Sequence, residues 1–355
     1  MNIKDIFNTF AEDLKMVDRE LMGIFKSHVL LIPIIGQHLL GSGGKRMRPL
    51  FLLLSAELCG YKKANRALLG AIIEAIHTAS LLHDDVIDGA ETRRGKPAAN
   101  AVWGNQVVIL VGDFLYSNAL KLAVHQKNQK IMEALSDATT SMTEGEILQL
   151  HRIGDPEITK EDYFEIISAK TGVLISAACR IGGILAGEPE KREMALARFG
   201  MKTGIAFQLA DDILDYVAKQ KELGKRLGKD LEEGKITMPL IHILKVASES
   251  ERDEIKAIIS SVTDSRRAYA PTVGGSGGQS AVKGKKTGTK KSGQGPSQSL
   301  KRIMDLFSKY NAIEESLDIA KGLIAEAKSE LDIFPASKEK ETLLVMAEYA
   351  MHREK

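Results

Sequence analysis

The chain has 355 residues, 44% hydrophobic, 27% charged and only 5% aromatic, the balance of a soluble globular protein with an aliphatic core. Its formal charge of +2 is unevenly spread: residues 264–300 carry seven basic side chains against one acid, which leaves the remainder at −4 and excludes a basic nucleic-acid-binding surface as the reading of the composition. The two cysteines, Cys59 and Cys179, lie far apart among apolar residues, which excludes a cysteine metal cluster and suits reduced, buried thiols of a cytoplasmic protein.

Ile3–Ile24 opens the chain with apolar residues at three- and four-residue spacing, interleaved with Asp5, Glu12 and Asp13. This is an amphipathic helix and not a basic region followed by an apolar run, so no signal peptide is expected. Gly41–Pro49 is a glycine-rich loop bearing Lys45, Arg46 and Arg48 ahead of a helix over Leu50–Leu58. Periodicity predicts further helices over Ala64–Ile87, Val107–Val124, Ile131–Leu150, Tyr163–Leu185, Arg192–Tyr216, Met238–Ile259 and Leu300–Leu331. Glycine and proline fall between these blocks, at Gly60, Gly95–Pro97, Gly154–Pro156, Gly187–Pro189 and Gly224–Gly234. The most apolar stretches, such as Gly172–Gly187 with its Arg180, are too short to span a bilayer. Strand-like alternation is absent, so the expected fold is all-α: one domain, a bundle of about ten helices. The stretch Asp264–Leu300 breaks the pattern. It is rich in Gly, Ser, Lys and Thr, has almost no apolar residue after Val282, and cannot offset its ordering entropy by burial. It reads as a disordered insert between two helices; a basic tether to an anionic membrane is the lesser reading.

Two acidic clusters carry the chemistry. Asp84, Asp85 and Asp88 stand in LLHDDVIDG, and Asp211, Asp212 and Asp215 in FQLADDILDY. On a helix the first and last aspartate of each cluster share a face. Both clusters interrupt apolar helices, where carboxylates repel one another and cost desolvation unless a cation compensates. Oxygen-only ligands suit Mg²⁺, which bridges carboxylates to substrate phosphates. One such cluster could equally be a solvated acidic face; two of identical D-D-x-x-D spacing could not readily be.

Cations supply the complement. Lys45, Arg46 and Arg48 precede a helix, Arg93 and Arg94 follow the first cluster, and Lys170-Thr171, Lys225, Lys229 and Lys235 complete the set. Singly each is an ordinary surface charge. Together, guanidinium forks and helix-start N–H groups match phosphate oxygens, and the whole implies two diphosphates, one held through metal and one directly.

The set GGKRMRP, LLHDDVID, ETRRGKP, GDFLYSNAL, KTG, FQLADDILDY and GKDLEEGKITMPL resembles the trans-isoprenyl diphosphate synthases, specifically the bacterial polyprenyl (octaprenyl-type) branch. The resemblance covers about residues 20–262 and resumes near Leu300; Asp264–Leu300 departs from it. It implies an isoprenoid synthase bundle around a central cavity, and a prenyltransferase that extends an allylic diphosphate with isopentenyl diphosphate. By motif, the six aspartates would hold three Mg²⁺ ions on the allylic diphosphate, with Asp84, Asp88 and Asp211 as ligands. Arg93, Lys170, Thr171, Gln208, Lys225 and Lys235 would contact that diphosphate, Lys170 and Lys225 assisting its departure. Lys45, Arg48, His77 and Arg94 would seat isopentenyl diphosphate. The resemblance further implies a homodimer, for which Gly112–Val124 is a candidate interface, cytoplasmic placement, and at most a peripheral membrane contact for product release.

The product should run along the helix face upstream of Asp84. Ala79 and Ser80, five and four residues earlier, are small, and Ile76 lies deeper. Short-chain members of the family place a bulky aromatic residue there, so long all-trans products, such as quinone side chains, are expected. The alternatives are a shorter-chain (farnesyl or geranylgeranyl) synthase, a class I terpene synthase, which needs no second diphosphate site, and a regulatory subunit, which usually lacks one acidic motif.

Overall fold

The structure, a computed structural model, describes residues 3–41, 43–217, 228–267 and 298–351. Helices dominate it: α1 (Ile3–Thr9), α2 (Ala11–Ile24), α3 (Leu31–Leu40), α4 (Met47–Leu58), α5 (Asn65–Ile87), α6 (Ala99–Trp103), α7 (Asn105–Val124), α8 (Gln129–His151), α9 (Lys160–Ile167), α10 (Val173–Ala186), α11 (Glu190–Val217), α12 (Lys229–Glu232), α13 (Met238–Val246), α14 (Glu249–Arg267), α15 (Gln298–Lys309), α16 (Ala312–Glu330) and α17 (Lys338–Met351). A π turn, Ser168–Gly172, joins α9 to α10, and a 3₁₀ turn, Leu331–Ile333, follows α16. Among the described residues the only strands are β1 (Thr92–Arg93) and β2 (Lys96–Pro97), a two-residue antiparallel pair. Of the expected insert, 264–267 close α14 and 298–300 open α15; the rest lies outside the described residues, as does Lys225.

The chain divides into two compact units. The first comprises Met1–Leu148, Phe164–Ala210 and Ile319–Glu354. Its centre is α4, buried on every side from Leu50 to Ala56, the signature of a helix wrapped by others. It packs on α2, α5, α10 and α17, while α5 packs on α2, α7 and α10. Full burial of each Leu, Ile or Phe here contributes roughly 1.5–3 kcal/mol. Ile324, Ala327, Leu331, Phe334, Leu343 and Met346 join the same core.

The second unit comprises Gln149–Tyr163 and Asp211–Asp318. In it α13 packs on α14 and α15, and the Tyr216 and Phe307 rings meet edge to face at 5.0 Å between centroids. The start of α9 is fixed by a capping box: the Thr159 amide donates to Asp162 Oδ2 and the Asp162 amide to Thr159 Oγ1, each at 3.0 Å. Arg152 clamps this corner by donating to Asp155 and Asp162 at 2.8 and 3.0 Å.

Among the described residues two helical segments are long and apolar enough to cross a membrane, Asn105–Val124 and Lys160–Ala186. The second is one continuous run longer than the Gly172–Gly187 stretch read from sequence, because the π turn carries the helix through from Lys160. Most of its apolar window is buried inside the protein, whereas α7 exposes Ile109, Leu110 and Val124.

Candidate active site

The first acidic motif occupies the last turn of α5. Asp88 caps that helix, its amide donating to the Asp84 carbonyl at 2.8 Å, so Asp84 and Asp88 stand one turn apart as their spacing predicts. Burial raises the Asp84 carboxyl to about 6; Lys170 opposes that rise, and the charges of Glu146 and Asp88 add to it. Lys170 sits in the π turn and pairs with Glu146 of α8 at 2.7 Å. The extra residue of a π turn re-aims side chains at functional sites. The next side chain, Thr171, donates from Oγ1 to Gln208 Oε1 at 2.7 Å. The close approach of α11 to this turn needs two glycines: a Cβ on Gly204 would lie 2.7 Å from Gly172 Cα.

Asp85 is turned elsewhere. Only 2% exposed, it accepts Arg93 Nε at 2.8 and 2.9 Å and Arg93 Nη2 at 2.8 Å, a fork that satisfies both oxygens. Asn100 Nδ2 donates to its carbonyl at 3.1 Å. This pair fixes the β1–β2 hairpin, whose two central residues, Arg94 and Gly95, both take positive φ (51° and 75°), as a two-residue turn matched to strand twist requires.

The hairpin tip brings Arg94 to the loop ahead of α4. There Arg46, with φ 50°, is nearly buried and pairs with Asp18 at 2.6 Å and Glu74 at 3.1 Å. A Cβ on Gly44 would lie 2.5 Å from Arg46 Nη1 and 2.9 Å from Arg94 Nη1, so glycine admits both guanidiniums. A pocket open to solvent is lined by Arg46, His77, Arg93 and Arg94 together with Glu74 and Asp85. Burial, then the charges of Arg48, Arg93, Arg94 and Arg46, hold His77 well below the usual imidazole range, so it is neutral at pH 7. Burial also lowers Arg94, with Arg93 and Arg46 adding to the effect. Crowded cations of this kind are relieved by an anion. Lys45 reaches across to α17: Nζ donates to the Tyr349 hydroxyl at 2.8 Å and lies 5.3 Å from the ring centroid. Of the three positions below Asp84, Ile76 and Ala79 are fully buried in the core, while half-buried Ser80 donates to the His77 carbonyl at 2.9 Å.

The second motif belongs to the other unit. Asp212, 6% exposed, accepts the Tyr163 hydroxyl at 2.6 Å. Asp215 accepts the Asp230 amide at 2.9 Å, and its carbonyl accepts the Gly228 amide at 2.9 Å, closing the turn into α12. Burial raises Asp215, against the amides of Asp230 and Lys229, and raises Asp230 well above the carboxylate range, where Asp212 and Asp215 add their charges. Lys235 pairs with Glu233 at 2.7 Å, and Glu233 with Lys229 at 3.0 Å. Asp211 is half-buried beside Asp212 on α11.

Sequence reasoning missed Glu74, Glu146, Tyr163, Asp230 and Glu233. Asp230 and Glu233 stood in the quoted GKDLEEGKITMPL motif; Glu74, Glu146 and Tyr163 had no local signal, since each is defined by a partner on another element.

Among the described residues no three His, Cys, Asp or Glu side chains enclose a metal ion by themselves. Mg²⁺ does not ask for that: it takes one or two carboxylates, keeps waters and shares phosphate oxygens. Oxygen-only donors, and an Asp84 carboxyl raised chiefly by burial with the charges of Glu146 and Asp88 adding to it, fit such an ion.

Residues 31–272 match the polyprenyl synthetase family. The chain is 41% identical over 259 residues to octaprenyl diphosphate synthase of Escherichia coli, covering 73% of this chain and 80% of that one. Among solved structures, a decaprenyl diphosphate synthase from Rhodobacter capsulatus superposes with a TM-score of 0.85 at 34% identity, over 98% of both chains. A polyprenyl synthase from Caulobacter crescentus, complexed with calcium and isoprenyl diphosphate, superposes at 0.84 with 35% identity, over 99% of this chain and 98% of that one. With this fold, these motifs and these relatives, the chain belongs to the polyprenyl synthetase family and is a prenyltransferase of the all-α isoprenoid synthase type.

Proposed function

We propose that this enzyme condenses an allylic diphosphate with successive isopentenyl diphosphates, releasing diphosphate and building a long all-trans polyprenyl diphosphate. The observation that carries the reading is the presence, within the first unit, of two different arrangements of charged side chains. One is the Asp84, Asp88, Lys170 and Arg93 group, suited to a metal-held diphosphate; the other is the arginine-lined cavity around His77, suited to a diphosphate held directly. A terpene synthase needs only the first, and a regulatory subunit usually lacks one of the two acidic motifs that this chain keeps.

In this reading Asp84 and Asp88 would act as Mg²⁺ ligands in the first unit and Asp211 in the second, for up to three ions in all; when bound, the ions would neutralise charge on the departing diphosphate. Lys170, with Thr171 and Gln208 set beside it, takes the charge on the same group, Lys225 and Lys235 assisting. Arg94, Arg48 and Lys45 orient isopentenyl diphosphate, and neutral His77 adds a hydrogen bond without adding charge to a crowded cationic cavity. The double bond then attacks the allylic cation at close range. The proton lost afterwards goes to the departing diphosphate: Glu74 and Asp85 in the second arrangement are held in ion pairs with Arg46 and Arg93, and burial among arginines leaves His77 a weak base. Long products are supported by small Ala79 and Ser80 and by the octaprenyl and decaprenyl synthases among the relatives. The exposed Ile109, Leu110 and Val124 of α7 support a homodimer that covers them.

The test is turnover of labelled isopentenyl diphosphate with farnesyl and geranylgeranyl primers in Mg²⁺, with products resolved by chromatography. Long-chain products are expected, and Asp84→Ala and Asp211→Ala should each abolish them. Near-wild-type activity in either variant breaks the assignment; diphosphate release without consumption of isopentenyl diphosphate would favour the terpene synthase.

A further inference from the structure

The second acidic motif contains a contact that the reaction as described does not use. Asp212 is almost sealed from solvent and its Oδ2 accepts the hydroxyl of Tyr163, itself only 3% exposed, at 2.6 Å. A buried carboxylate needs such donors, yet an apolar pair would fill the same space with no desolvation cost. The donor is also delivered with unusual care. Tyr163 is the residue immediately after the Thr159–Asp162 capping box, and Arg152 braces Asp162 and Asp155 on either side of the turn. The Gly154 amide ties that corner to the Gly234 carbonyl at 2.9 Å, next to Lys235. All of these residues belong to the second unit.

We infer that Tyr163 is a positioning residue for the second acidic motif: its hydroxyl, set by the capped start of α9, holds Asp212 and so fixes the helix turn that presents Asp211. The inference rests on the proposed role of Asp211 as a Mg²⁺ ligand. Asp211 and Asp212 are adjacent on α11, so a rotation of that turn which moves one moves the other. Pinning one carboxylate of the pair from behind restricts the other to the orientation it needs, the way outer partners orient the ligands of metal sites. Arg93 does the equivalent for Asp85 in the first motif, so in both repeats the middle aspartate is held by a side chain from another element, while Asp215 is held by the Asp230 amide.

The test is titration of the full-length protein with inorganic diphosphate in Mg²⁺ by calorimetry, with no allylic substrate, alongside the Mg²⁺ dependence of turnover. Tyr163→Phe removes one oxygen and keeps the ring. It should bind Mg²⁺–diphosphate roughly 10–100-fold more weakly and need correspondingly more Mg²⁺, with the KM for isopentenyl diphosphate unchanged. In a double-mutant cycle Tyr163→Phe should add nothing to Asp212→Ala, because it acts through that carboxylate. If Tyr163→Phe does not fold, Thr159→Ala, an exposed change at the cap, should give the same shift at smaller size. Unchanged Mg²⁺–diphosphate affinity in a folded Tyr163→Phe overturns the inference, as does an additive cycle, or an unshifted Thr159→Ala when it stands in for Tyr163→Phe. A wild-type protein that does not bind Mg²⁺–diphosphate overturns the proposed function and this inference with it, whereas wild-type binding with an unaffected Tyr163→Phe rejects this inference alone.

Discussion

Asp84→Asn should make the metal-free enzyme more stable while ending its activity. Burial chiefly, with Glu146 and Asp88 reinforcing it, raises the Asp84 carboxyl from the ordinary 3.8 to about 6. A group raised in this way gives stability that is complete below its unfolded pKa and is lost as pH rises through the folded one. The window here runs from about pH 4 to about pH 6. At about 1.4 kcal/mol per unit, the ionised carboxylate costs on the order of 3 kcal/mol at neutral pH. That is a ceiling, because Asp84 is only half-buried and water screens part of its charge. Asparagine carries no such penalty. With an unfolding entropy of about 2.1 cal/mol/K per residue, a chain of this length should gain up to about 4 °C in Tm. The assay is thermal unfolding in EDTA at pH 7.5 and again at pH 4, where wild type and variant should converge. Adding Mg²⁺ and inorganic diphosphate should reverse the order, stabilising only the wild type. A variant no more stable than wild type at pH 7.5 in EDTA, or one that keeps its full advantage at pH 4, would refute the reasoning.

Gly204→Ala would drive a methyl group to 2.7 Å from Gly172 Cα, at a cost of about 1–3 kcal/mol. Because Gly172 closes the turn that carries Lys170 and Thr171, a lowered Tm should be accompanied by a raised KM for the allylic substrate; a normal KM would separate the glycine contact from the site. Ser80→Phe should shorten the product to roughly the short-chain class, whereas Ala79→Phe, at a fully buried position, should mainly reduce folded yield. Chromatography of labelled products checks the first and soluble expression the second. An unchanged length distribution in Ser80→Phe would remove that side chain from the product path.

Most of the helices were legible because each pairs a buried apolar stripe with a polar one, and the hairpin turn was marked by Gly95. Their interruptions were less so. The segment Ile3–Ile24 breaks at Phe10, where neither glycine nor proline stands. Met238–Ile259 breaks at Ala247 and Ser248, and there a signal existed: Ser248 and Glu251 form a capping box that announces α14. Leu300–Leu331 breaks at Asn311, whose φ of 52° is a conformation asparagine tolerates better than most residues. Helix α3 escaped because LIPIIGQHLL is apolar nearly all round and has no stripe to read, and α17 because its apolar residues crowd into Leu343–Met351 with only Glu348 among them, which again leaves no stripe. In the site, residue types and spacing were legible wherever the helix itself sets the geometry, as for Asp84 and Asp88. The different fates of Asp85 and Asp212 were not, because Arg93 and Tyr163 reach them through tertiary contacts that no local pattern encodes.

The first unit's core draws on three separated stretches, and the last of them supplies Ile324, Leu331, Phe334, Leu343 and Met346. On the ribosome, therefore, α4 and α5 emerge long before the side chains that will cover them. Synthesis at about 5–20 residues per second leaves an interval of more than ten seconds between the end of α5 and the arrival of residue 319. During that time the nascent chain holds an uncapped apolar surface, so its need for a holdase should be greatest late in translation and should rise further if residues beyond 319 are truncated.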